Sequence, residues 1–296
     1  MDKLALIILN YNSETDTTAC VDQLLSLALP CPIVIVDNAS PDGSGERLAA
    51  RWHGQEGVCV IRQRENRGYS AGNNTGLRFA ADELGAAAAA IINPDVIIPD
   101  RDVLASMHRV LTADEGCAAV GAVIANSRRM SESAWDLPTA GGVAAYHCLP
   151  LRRRVRKLTT ASETEMVDGI RTAEVGCLAG CFVLLRLDFL KRIGYLDEHL
   201  FLYGEETLLG LCCRREGFRE RLVLDCTYCH NHHRDAGSRA GFLANNRRSG
   251  HAFRSRRYIL KTCFGGRGLV RLVLAEGVNR LWILAVFFKN VLLRRP

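Results

Sequence analysis

The sequence predicts an α/β fold built on a doubly wound, mostly parallel sheet. Apolar runs bounded by polar loops recur at residues 4–9, 33–36, 58–61 and 88–92. Runs that are apolar on both faces are typical of parallel strands covered by helices. Segments with helical spacing separate these runs, so strand and helix alternate over residues 1–115. A chain of 296 residues is long enough to bury the core that such a fold needs.

Three helices are predicted in this first half, at about residues 15–27, 43–51 and 70–84. Past residue 117 the pattern loosens into a polar, arginine-rich stretch from Asn126 to about Arg171, which we interpret as an insertion or substrate loop. After this stretch, apolar runs and helical spacing reappear, which again predicts strands and helices. The other predicted elements are strands at residues 118–124 and 180–185 and helices at residues 188–193 and 207–217.

An apolar stretch with embedded basic residues, 269–293, predicts a C-terminal helix. Its longest uninterrupted run, residues 281–288, forms roughly 12 Å of helix, against a hydrocarbon core of about 30 Å. It therefore cannot span a bilayer unaided. Trp282 and the flanking arginines favour a helix lying at a membrane surface. The alternative is a helix packed on its own domain. One helical face carries Leu281, Leu284, Ala285, Phe288 and Leu292.

The net charge of +6 is concentrated in local clusters. Such fields suit anionic membrane surfaces or phosphate-bearing substrates. No aromatic interleaving or recognition motif accompanies the clusters, so nucleic acid is not an expected partner. The clusters lie at residues 152–157, 247–248, 254–257 and 294–295.

Twelve cysteines are spread along the chain, which runs from Met1 into a strand without a signal peptide. We therefore expect reduced thiols in a cytoplasmic protein. Cys226, Cys229 and His230 fit the spacing for covalent haem attachment, but that modification occurs on exported proteins. The cysteines also lack the regular paired spacing of a zinc ribbon or finger.

Polar side chains follow the first two predicted strands where each one ends. The first strand runs into Asn10 and Tyr11, and the second into Asp37 and Asn38. A carboxylate at the end of the second strand can accept hydrogen bonds from a ribose hydroxyl or a base N–H, and Tyr11 can stack on a base. The alternative for Asp37 is a turn or helix-capping residue.

A glycine-containing segment, 66–76, opens the third predicted helix. Gly68 and Gly72 allow close backbone approach, and the start of the helix offers free N–H groups to an anion. The segment lacks the lysine and spacing of a P-loop, and it does not follow the dinucleotide pattern of glycines.

The apolar run at residues 88–92 ends in Asn93, Pro94 and Asp95, which places one carboxylate at the tip of a buried strand. Ligands of open α/β sheets bind beyond the carboxyl ends of the strands, so Asp95 is positioned to hold a metal or a phosphate-bound metal. On its own the tripeptide is equally typical of a turn.

Two more groups of side chains, a pair of glutamates and a cluster of histidines, are candidates for catalysis or metal binding. Glu205 and Glu206 open a predicted helix, where acidic side chains are favourable next to the positive helix end. Alternatively, one of them is a general base that removes a proton from an attacking sugar hydroxyl. His230, with His232 and His233, offers imidazole ligands to a transition metal, or lies in a solvated loop.

In their order, these motifs resemble the family 2 inverting glycosyltransferases of the GT-A fold. The rhamnosyltransferase-like members, which build bacterial surface polysaccharides, are the most similar branch. The resemblance covers about residues 4–235. It rests on five segments: Ile8–Asn12, Val36–Ser40, Glu65–Asn74, Asn93–Asp95 and Phe201–Glu206.

The resemblance implies three regions. A GT-A glycosyltransferase domain would cover residues 1–235, with a nucleotide-sugar half at 1–115 and an acceptor and catalytic half at 116–235. A C-terminal helical region that associates with a membrane would cover 236–296. The donor is expected to be a UDP- or dTDP-sugar. The implied donor-binding residues are Leu9, Asn10, Tyr11, Asp37, Asn38, Asn66, Arg67, Gly68, Gly72, Asn73 and Asn93.

The resemblance also implies a divalent metal, Mn2+ or Mg2+. Asp95 would be the surviving acid of the family's metal-binding motif, in which Asn93 replaces another acid. His230 stands at the distance from the catalytic acid at which several relatives place a metal-binding histidine. With Asp95 as the only acid, the metal is expected to bind poorly without nucleotide.

The implied reaction is a single in-line displacement that inverts the anomeric carbon. Family members usually carry glutamate-aspartate followed by a further acid, and these positions are Glu205, Glu206 and Leu208 here. Glu206 is therefore the expected base, and Glu205 is the second candidate. Leu208 in place of an acid sets the chain apart from the usual pattern.

The implied acceptor is a lipid-linked saccharide at the inner face of the cytoplasmic membrane. The alternative function is a catalytically silent relative that binds a sugar nucleotide or scaffolds an assembly. A nucleotidyltransferase is disfavoured, because such enzymes usually have a glycine-rich basic loop near the N terminus and none is visible in this sequence.

Overall fold

One mixed sheet forms the centre of the molecule and confirms the predicted α/β fold. The computed structural model describes residues 3–127, 130–145, 164–231 and 239–292. The strands are β1 (Leu4–Asn10), β2 (Ile33–Asp37), β3 (Val58–Arg62), β4 (Ala88–Ile92), β5 (Val96–Ile97), β6 (Cys117–Ile124), β7 (Ala134–Trp135), β8 (Thr164–Val167), β9 (Ile170–Val175), β10 (Cys177–Leu178), β11 (Phe182–Arg186) and β12 (Arg219–His230).

Nine α-helices are found within the described residues, and they cover the sheet or follow it. They are α1 (Glu14–Ser26), α2 (Ser44–Arg51), α3 (Tyr69–Asp82), α4 (Arg101–Ala113), α5 (Ala140–Ala145), α6 (Leu187–Ile193), α7 (Glu205–Arg215), α8 (Arg239–Phe264) and α9 (Leu269–Leu292). The three helices predicted in the first half lie within two residues of their predicted bounds. The helix predicted at 207–217 begins at Glu205, so both glutamates lie in its first turn.

The strand order is β3-β2-β1-β4-β11-β6-β12-β9-β8, with β5 paired to β12 outside this path. The first four strands are parallel, whereas β11 runs antiparallel to both of its neighbours. Asn10 lies opposite Asp37 in the register of β1 and β2. The polar residues that follow β1, β2 and β4 therefore meet at one edge of the sheet, as their strand-end positions predict.

Both faces of the sheet are buried, which explains the continuous apolar runs. In β1, Leu6 and Ile8 face a core formed with α1, α2 and α4. Ile7 points to the opposite core, which includes Leu77 of α3 and Leu209 of α7. A strand buried on both faces needs apolar residues at every position, because its side chains alternate between the faces.

The prediction of a polar loop at residues 126–171 is wrong for much of that range. A short 3-10 helix, β7, α5, β8 and the start of β9 lie within it, and residues 152–157 are outside the described residues. β8 and β9 form a hairpin in which Val167 pairs with Ile170. The turn residues Asp168 and Gly169 have φ of 47° and 75°. An Asp-Gly pair with positive φ at both positions is typical of a tight hairpin turn. The Asp-Gly pair in the sequence was therefore the signal from which this hairpin could have been predicted.

The C-terminal helices pack on the second half of the domain through a separate apolar core. Phe253 and Leu260 of α8 meet Leu272 of α9 there. Leu208, from the first turns of α7, is buried in the same cluster. The leucine at this position therefore contributes to the packing of α8 against α7, in a place where an acid would be costly without a partner.

Glu220 is a buried carboxyl group in β12, 1% exposed, and its Oε2 has no hydrogen-bond partner within the described residues. Burial is the main cause that raises the pKa of Glu220 to about 8. The folded protein therefore holds a proton on Glu220 that the unfolded chain releases near pH 4.5. Between those two values the folded state binds more protons than the unfolded state, so stability falls as pH rises.

We expect Glu220→Gln to remove this pH dependence, because an amide keeps the hydrogen-bonding shape of a protonated carboxyl. The variant should match wild type in melting temperature at pH 4.5 and exceed it by several degrees at pH 8. Thermal denaturation across this pH range measures the difference. Glu174→Gln, an exposed glutamate on the neighbouring strand, is the control. Parallel curves for wild type and Glu220→Gln would contradict the assignment.

Candidate active site

The ends of β1 and β2 are joined by a buried network around Asn10. The Asn10 Nδ2 donates to Asp37 Oδ1 at 2.7 Å, and the Ser40 hydroxyl donates to the same oxygen at 2.6 Å. The Thr17 hydroxyl donates to Asn10 Oδ1 at 3.0 Å. Asn10 is fully buried and Asp37 is 3% exposed, whereas Tyr11 beside them is 47% exposed. The network fixes the two strand ends, and Tyr11 presents its ring to solvent at this edge.

Three of the predicted donor-binding residues meet just after the end of β2. They are Asn38, Asn66 and Gly68. Asn38 Nδ2 lies 3.1 Å from Asn66 Oδ1 and 3.2 Å from the Gly68 carbonyl oxygen. The Gly68 N–H donates to Asn66 Oδ1 at 2.9 Å. The buried Oδ1 of Asn38 has no partner within the described residues. The three residues therefore hold one turn in a fixed conformation beside a buried acceptor atom.

The first turns of α3 pack closely on the end of β1. A side chain at Gly72 would overlap Leu9 and press on Asn38, so glycine is required for this approach. Asn73 is fully buried and donates through Nδ2 to the Tyr69 carbonyl at 3.0 Å, while its Oδ1 has no partner among the residues that the structure describes. Arg67 points outward and pairs with Glu198 at 3.0 Å. Arg67 is thus tied to the segment that leads towards α7.

Gly68 also joins this donor segment to the chain that precedes α7. Its φ is 101°, and a Cβ at this position would overlap the backbone of Phe201. The Tyr69 N–H donates to the Phe201 carbonyl at 2.8 Å. A left-handed residue in such close backbone contact must be glycine. The turn at 66–68 therefore rests directly on the segment that ends at Glu205.

The hydroxyl of Tyr69 links three parts of the candidate site. It lies 2.9 Å from Asn93 Oδ1 and 2.8 Å from the Gly180 carbonyl oxygen. Burial raises the pKa of Tyr69 well above its ordinary value, and the negative charges of Glu205 and Glu206 raise it further. Tyr69 therefore stays protonated and donates between the end of β4 and the start of β11. The sequence analysis did not identify this residue as part of the site.

Asp95 and His230, the two predicted metal ligands, lie side by side. His230 Nε2 is 3.2 Å from Asp95 Oδ1, because β5 and β12 pair with His230 opposite Val96. Burial lowers the pKa of His230, but hydrogen bonds to Asp95 and Cys181 outweigh that effect and raise the pKa to about 10. His230 is the last residue of β12, so it does not lie in a solvated loop. His232 and His233 lie outside the described residues.

The chemistry of this pair fits a metal site with two protein ligands, provided that the metal displaces the proton of His230. Mn2+ accepts both carboxylate oxygen and imidazole nitrogen, whereas Mg2+ prefers oxygen alone. Across residues 3–127, 130–145, 164–231 and 239–292, no cluster of three or more histidine, cysteine or acidic side chains could hold a metal. Beyond the protein ligands that the described residues offer, diphosphate oxygens and water would supply further ligands. The imidazole favours manganese over magnesium.

Glu205 and Glu206 begin α7 next to Gly180, the residue whose carbonyl contacts Tyr69. A Cβ added to Gly180 would lie 3.4 Å from Glu206 Oε1. Burial, followed by the negative charge of Glu206, raises the pKa of Glu205 to about 8. Oε2 of Glu205 is buried without a hydrogen-bond partner among the described residues. Burial and the charge of Glu206 therefore favour the protonated form of Glu205 at neutral pH.

We expect Tyr69→Phe to lower the turnover number about tenfold, the effect of losing roughly 1.4 kcal/mol in the transition state. The variant keeps the ring but leaves Asn93 and the Gly180 carbonyl without their shared donor. Steady-state kinetics with a nucleotide-sugar donor measure this loss, and the donor KM should change little. Tyr195→Phe, which removes a hydroxyl away from the site, is the control. Equal activity in both variants would exclude Tyr69 from the site.

Solved structures of glycosyltransferases share the fold of this chain. A mannosyltransferase from Pyrobaculum calidifontis, in complex with GDP-Man and Mn2+, aligns with a TM-score of 0.58 at 18% identity, covering 97% of this chain and 73% of that one. GalNAc-T7 with UDP, GalNAc and Mn2+ aligns with a TM-score of 0.62 at 13% identity, covering 99% and 58%. The fold is that of the GT-A glycosyltransferases.

The family follows from the sequence itself. A family model described as glycosyl transferase family 2 matches residues 5–194, well over half of the chain, and the chain belongs to that family. The low-salt glycan biosynthesis hexosyltransferase Agl10 of Haloferax volcanii is 28% identical over 218 residues. This match covers 73% of the chain but only 63% of the relative's length. The rhamnosyltransferase-like branch stays a prediction.

Proposed function

We propose that the protein is a metal-dependent inverting hexosyltransferase that moves a sugar from a nucleoside-diphosphate donor to a hydroxyl of a saccharide acceptor. One observation carries the proposal. The Tyr69 hydroxyl bridges Asn93, which follows β4, and the Gly180 carbonyl, which lies beside Glu206. These contacts support the proposal that the expected metal pair and the expected base belong to one site at the carboxyl edge of the sheet.

The donor nucleotide is proposed to lie across the ends of β1 and β2 and the start of α3. Tyr11 is exposed there, and the Oδ1 atoms of Asn38 and Asn73 are buried without partners in the described part of the chain. Buried polar atoms without partners are costly, so their presence at the strand ends supports a site that a polar ligand completes. The base of the nucleotide would stack on Tyr11, while Asp37 and Asn10 keep the strand ends in position.

Asp95 and His230 are proposed to hold the divalent ion with the donor diphosphate. When bound, the ion stabilises the negative charge that develops on the departing diphosphate. Glu206 accepts the proton of the acceptor hydroxyl as that oxygen attacks the anomeric carbon. Glu205 keeps its proton at neutral pH and so does not compete with Glu206 as the base.

A panel of nucleotide sugars tests this function. Purified protein is heated with UDP-, dTDP- and GDP-sugars, each with and without Mn2+, and its melting temperature is recorded. A true donor at 100 times its dissociation constant adds about 2.7 kcal/mol to stability. We expect metal-dependent stabilisation by one nucleotide class and slow hydrolysis of that donor. Stabilisation without hydrolysis or transfer would instead identify a catalytically silent relative.

We further propose that α9 lies at the inner face of a membrane, where a lipid-linked acceptor would be found. Its outward face exposes large apolar side chains, including Val270 at 78% and Leu281 at 69%. Arg271 and Arg280 lie beside them, as expected for a helix at an anionic surface. No helix among the described residues is sufficiently long and apolar to cross a membrane.

Binding to vesicles tests the membrane proposal. Trp282 is 47% exposed, whereas Trp52 and Trp135 are buried, so a blue shift in tryptophan fluorescence reports on α9. We expect the shift with phosphatidylglycerol vesicles and its loss in Leu281→Ser. Met166→Ser, which changes an exposed apolar residue on β8, is the control. No shift with any vesicle would leave α9 as a helix packed only on its own domain.

A further inference from the structure

A cleft of about 400 Å³ lies between the C-terminal half of α7 and the beginning of β12. Val175, the last residue of β9, and Gly176 form another part of its wall. Gly210 of α7 packs directly on this wall, since a Cβ there would overlap the Gly176 carbonyl oxygen. Sites for small molecules usually enclose about 300–1,000 Å³. The cleft is therefore large enough to hold a small organic ligand.

Helix α7 runs from the candidate active site to this cleft. In its first turn, Glu206 lies beside Gly180, whose added Cβ would be 3.4 Å from Glu206 Oε1. Further along the helix, Cys213 Sγ is 3.8 Å from Glu220 Oε1 in the wall of the cleft. The seven residues from Glu206 to Cys213 form roughly 10 Å of helix, or about two turns. The cleft is therefore a second site, displaced from the expected base along α7.

Glu220 supplies a buried hydrogen-bond acceptor to the wall of the cleft. Its side chain is 1% exposed, and Oε2 has no hydrogen-bond partner among the described residues. Burial raises the pKa of Glu220 to about 8, against a backbone hydrogen bond at Leu178 and the Cys213 thiol, while the charge of Glu206 raises it further. A buried polar atom without a partner is costly. A ligand that donates a hydrogen bond to Oε2 would remove that cost.

The charges around the cleft favour a cation. Among the described residues that line it, four are acidic and two are arginines. One of the arginines, Arg219, is already engaged, because its Nη1 lies 3.4 Å from Asp114 Oδ2 and its Nε lies 3.9 Å from Glu174 Oε2. The other, Arg214, is exposed near the end of α7. Besides the buried Glu220, the acidic residues are exposed and form the rim: Asp136, Glu165 and Glu174.

The carboxyl groups of the cleft suit an extended cation better than a metal ion. No three histidine, cysteine or acidic side chains in the described part of the chain are arranged to hold a metal. An aliphatic diamine can instead place one ammonium group at Glu220 and the other at the rim. Leu137, Val175 and Phe218 line the same cleft and offer apolar surface to the methylene chain.

We propose that this cleft binds an aliphatic diamine, with one ammonium group donating to Glu220 Oε2 and the other facing the carboxylates of the rim. An ammonium group carries three donors and no acceptor, which matches an acceptor atom without a partner. The bound cation favours the ionised form of Glu220, so a protonated Glu220 releases its proton when the diamine binds. The proposal goes beyond the transfer reaction and does not depend on it, because the ligand contacts neither substrate.

Isothermal titration with 1,5-diaminopentane at pH 7 tests the proposal, and 1,5-pentanediol serves as the neutral counterpart. Titrations in two buffers of different ionisation enthalpy measure the protons released. We expect wild type to bind the diamine and not the diol, with release of about one proton. Glu220→Gln should bind the diamine at least about tenfold more weakly, a loss of about 1.4 kcal/mol, and release no proton. Glu83→Gln, which changes an exposed carboxylate just after α3, is the control.

A second variant tests the sign of the charge that the cleft recognises. Arg214→Gln removes a positive charge from its wall, so we expect about twofold tighter binding of the diamine, the size typical of one exposed charge. Arg215→Gln is the matched control, because Arg215 is the next residue of α7 and pairs with Glu216 at 3.0 Å.

Several outcomes would overturn the assignment. Equal affinity for the diamine and the diol would show that the cleft recognises a hydrogen-bonding group and not a positive charge. Weaker diamine binding in Arg214→Gln would contradict a cation site, and pyrophosphate binding that this variant abolishes would assign the cleft to an anion. An equal loss in Glu83→Gln would show a general charge effect. The absence of any heat of binding with millimolar diamine would reject the site, whether or not the protein transfers a sugar.

Discussion

Replacing Glu206 by glutamine is expected to lower the turnover number by roughly 10²–10⁴-fold, the usual contribution of a positioned general base. Glutamine preserves the size of the side chain beside Gly180 but cannot accept a proton. Binding of the donor with Mn2+ should stay nearly unchanged, because the donor is proposed to contact other elements. Initial rates of transfer and titration with the nucleotide measure the two effects separately.

Glu205→Gln is the matched control for this experiment. Glu205 is protonated at neutral pH, since burial and the charge of Glu206 raise its pKa to about 8. An amide resembles that neutral form, so we expect less than a tenfold change in rate at pH 7. An inactive Glu205→Gln together with an active Glu206→Gln would reverse the assignment of the base.

Asp95→Asn is expected to abolish the coupling between manganese and nucleotide. In wild type, Mn2+ alone should bind weakly, because Asp95 and His230 are the two ligands expected within the described part of the chain. A nucleoside diphosphate should tighten the metal by about 5–150-fold, the range of a coupling free energy of 1–3 kcal/mol. By linkage, the metal tightens the nucleotide by the same factor. Titrations of each ligand in the presence and absence of the other measure both directions.

Asp22→Asn controls for the loss of a negative charge, because Asp22 lies at the surface, where it forms an ion pair with Arg51. This variant should retain the full coupling. If Asp95→Asn binds manganese and nucleotide as wild type does, Asp95 is not a ligand. If wild type binds Mn2+ tightly without nucleotide, the two-ligand description of the site is wrong.

The sequence is sufficient to predict the elements whose signals are local. β1 and β4 are continuous apolar runs, so their identity and buried position follow from a few neighbouring residues. The polar residues at their ends then fall on one edge of the sheet, because parallel strands share a direction. These features define the fold class and the location of the site.

Features that depend on distant partners were not predictable in this way. The Tyr69 hydroxyl meets Gly180, which is 111 residues away in the chain. The pKa of Glu205 follows from burial, which the sequence does not give. The length of β12, which carries His230 to Asp95, depends on its pairing with β5. The pairing of these two residues was expected from family resemblance, not from any local pattern.

The close contact of Gly68 with the backbone of Phe201 has a kinetic consequence. The turn that is proposed to enclose the nucleotide touches the chain that leads to the two candidate catalytic glutamates, without any intervening side chain. A shift of the turn is therefore transmitted to the carboxylates directly. Donor occupancy and the position of the base then change together, and the two substrates are expected to add in a compulsory order, the donor first.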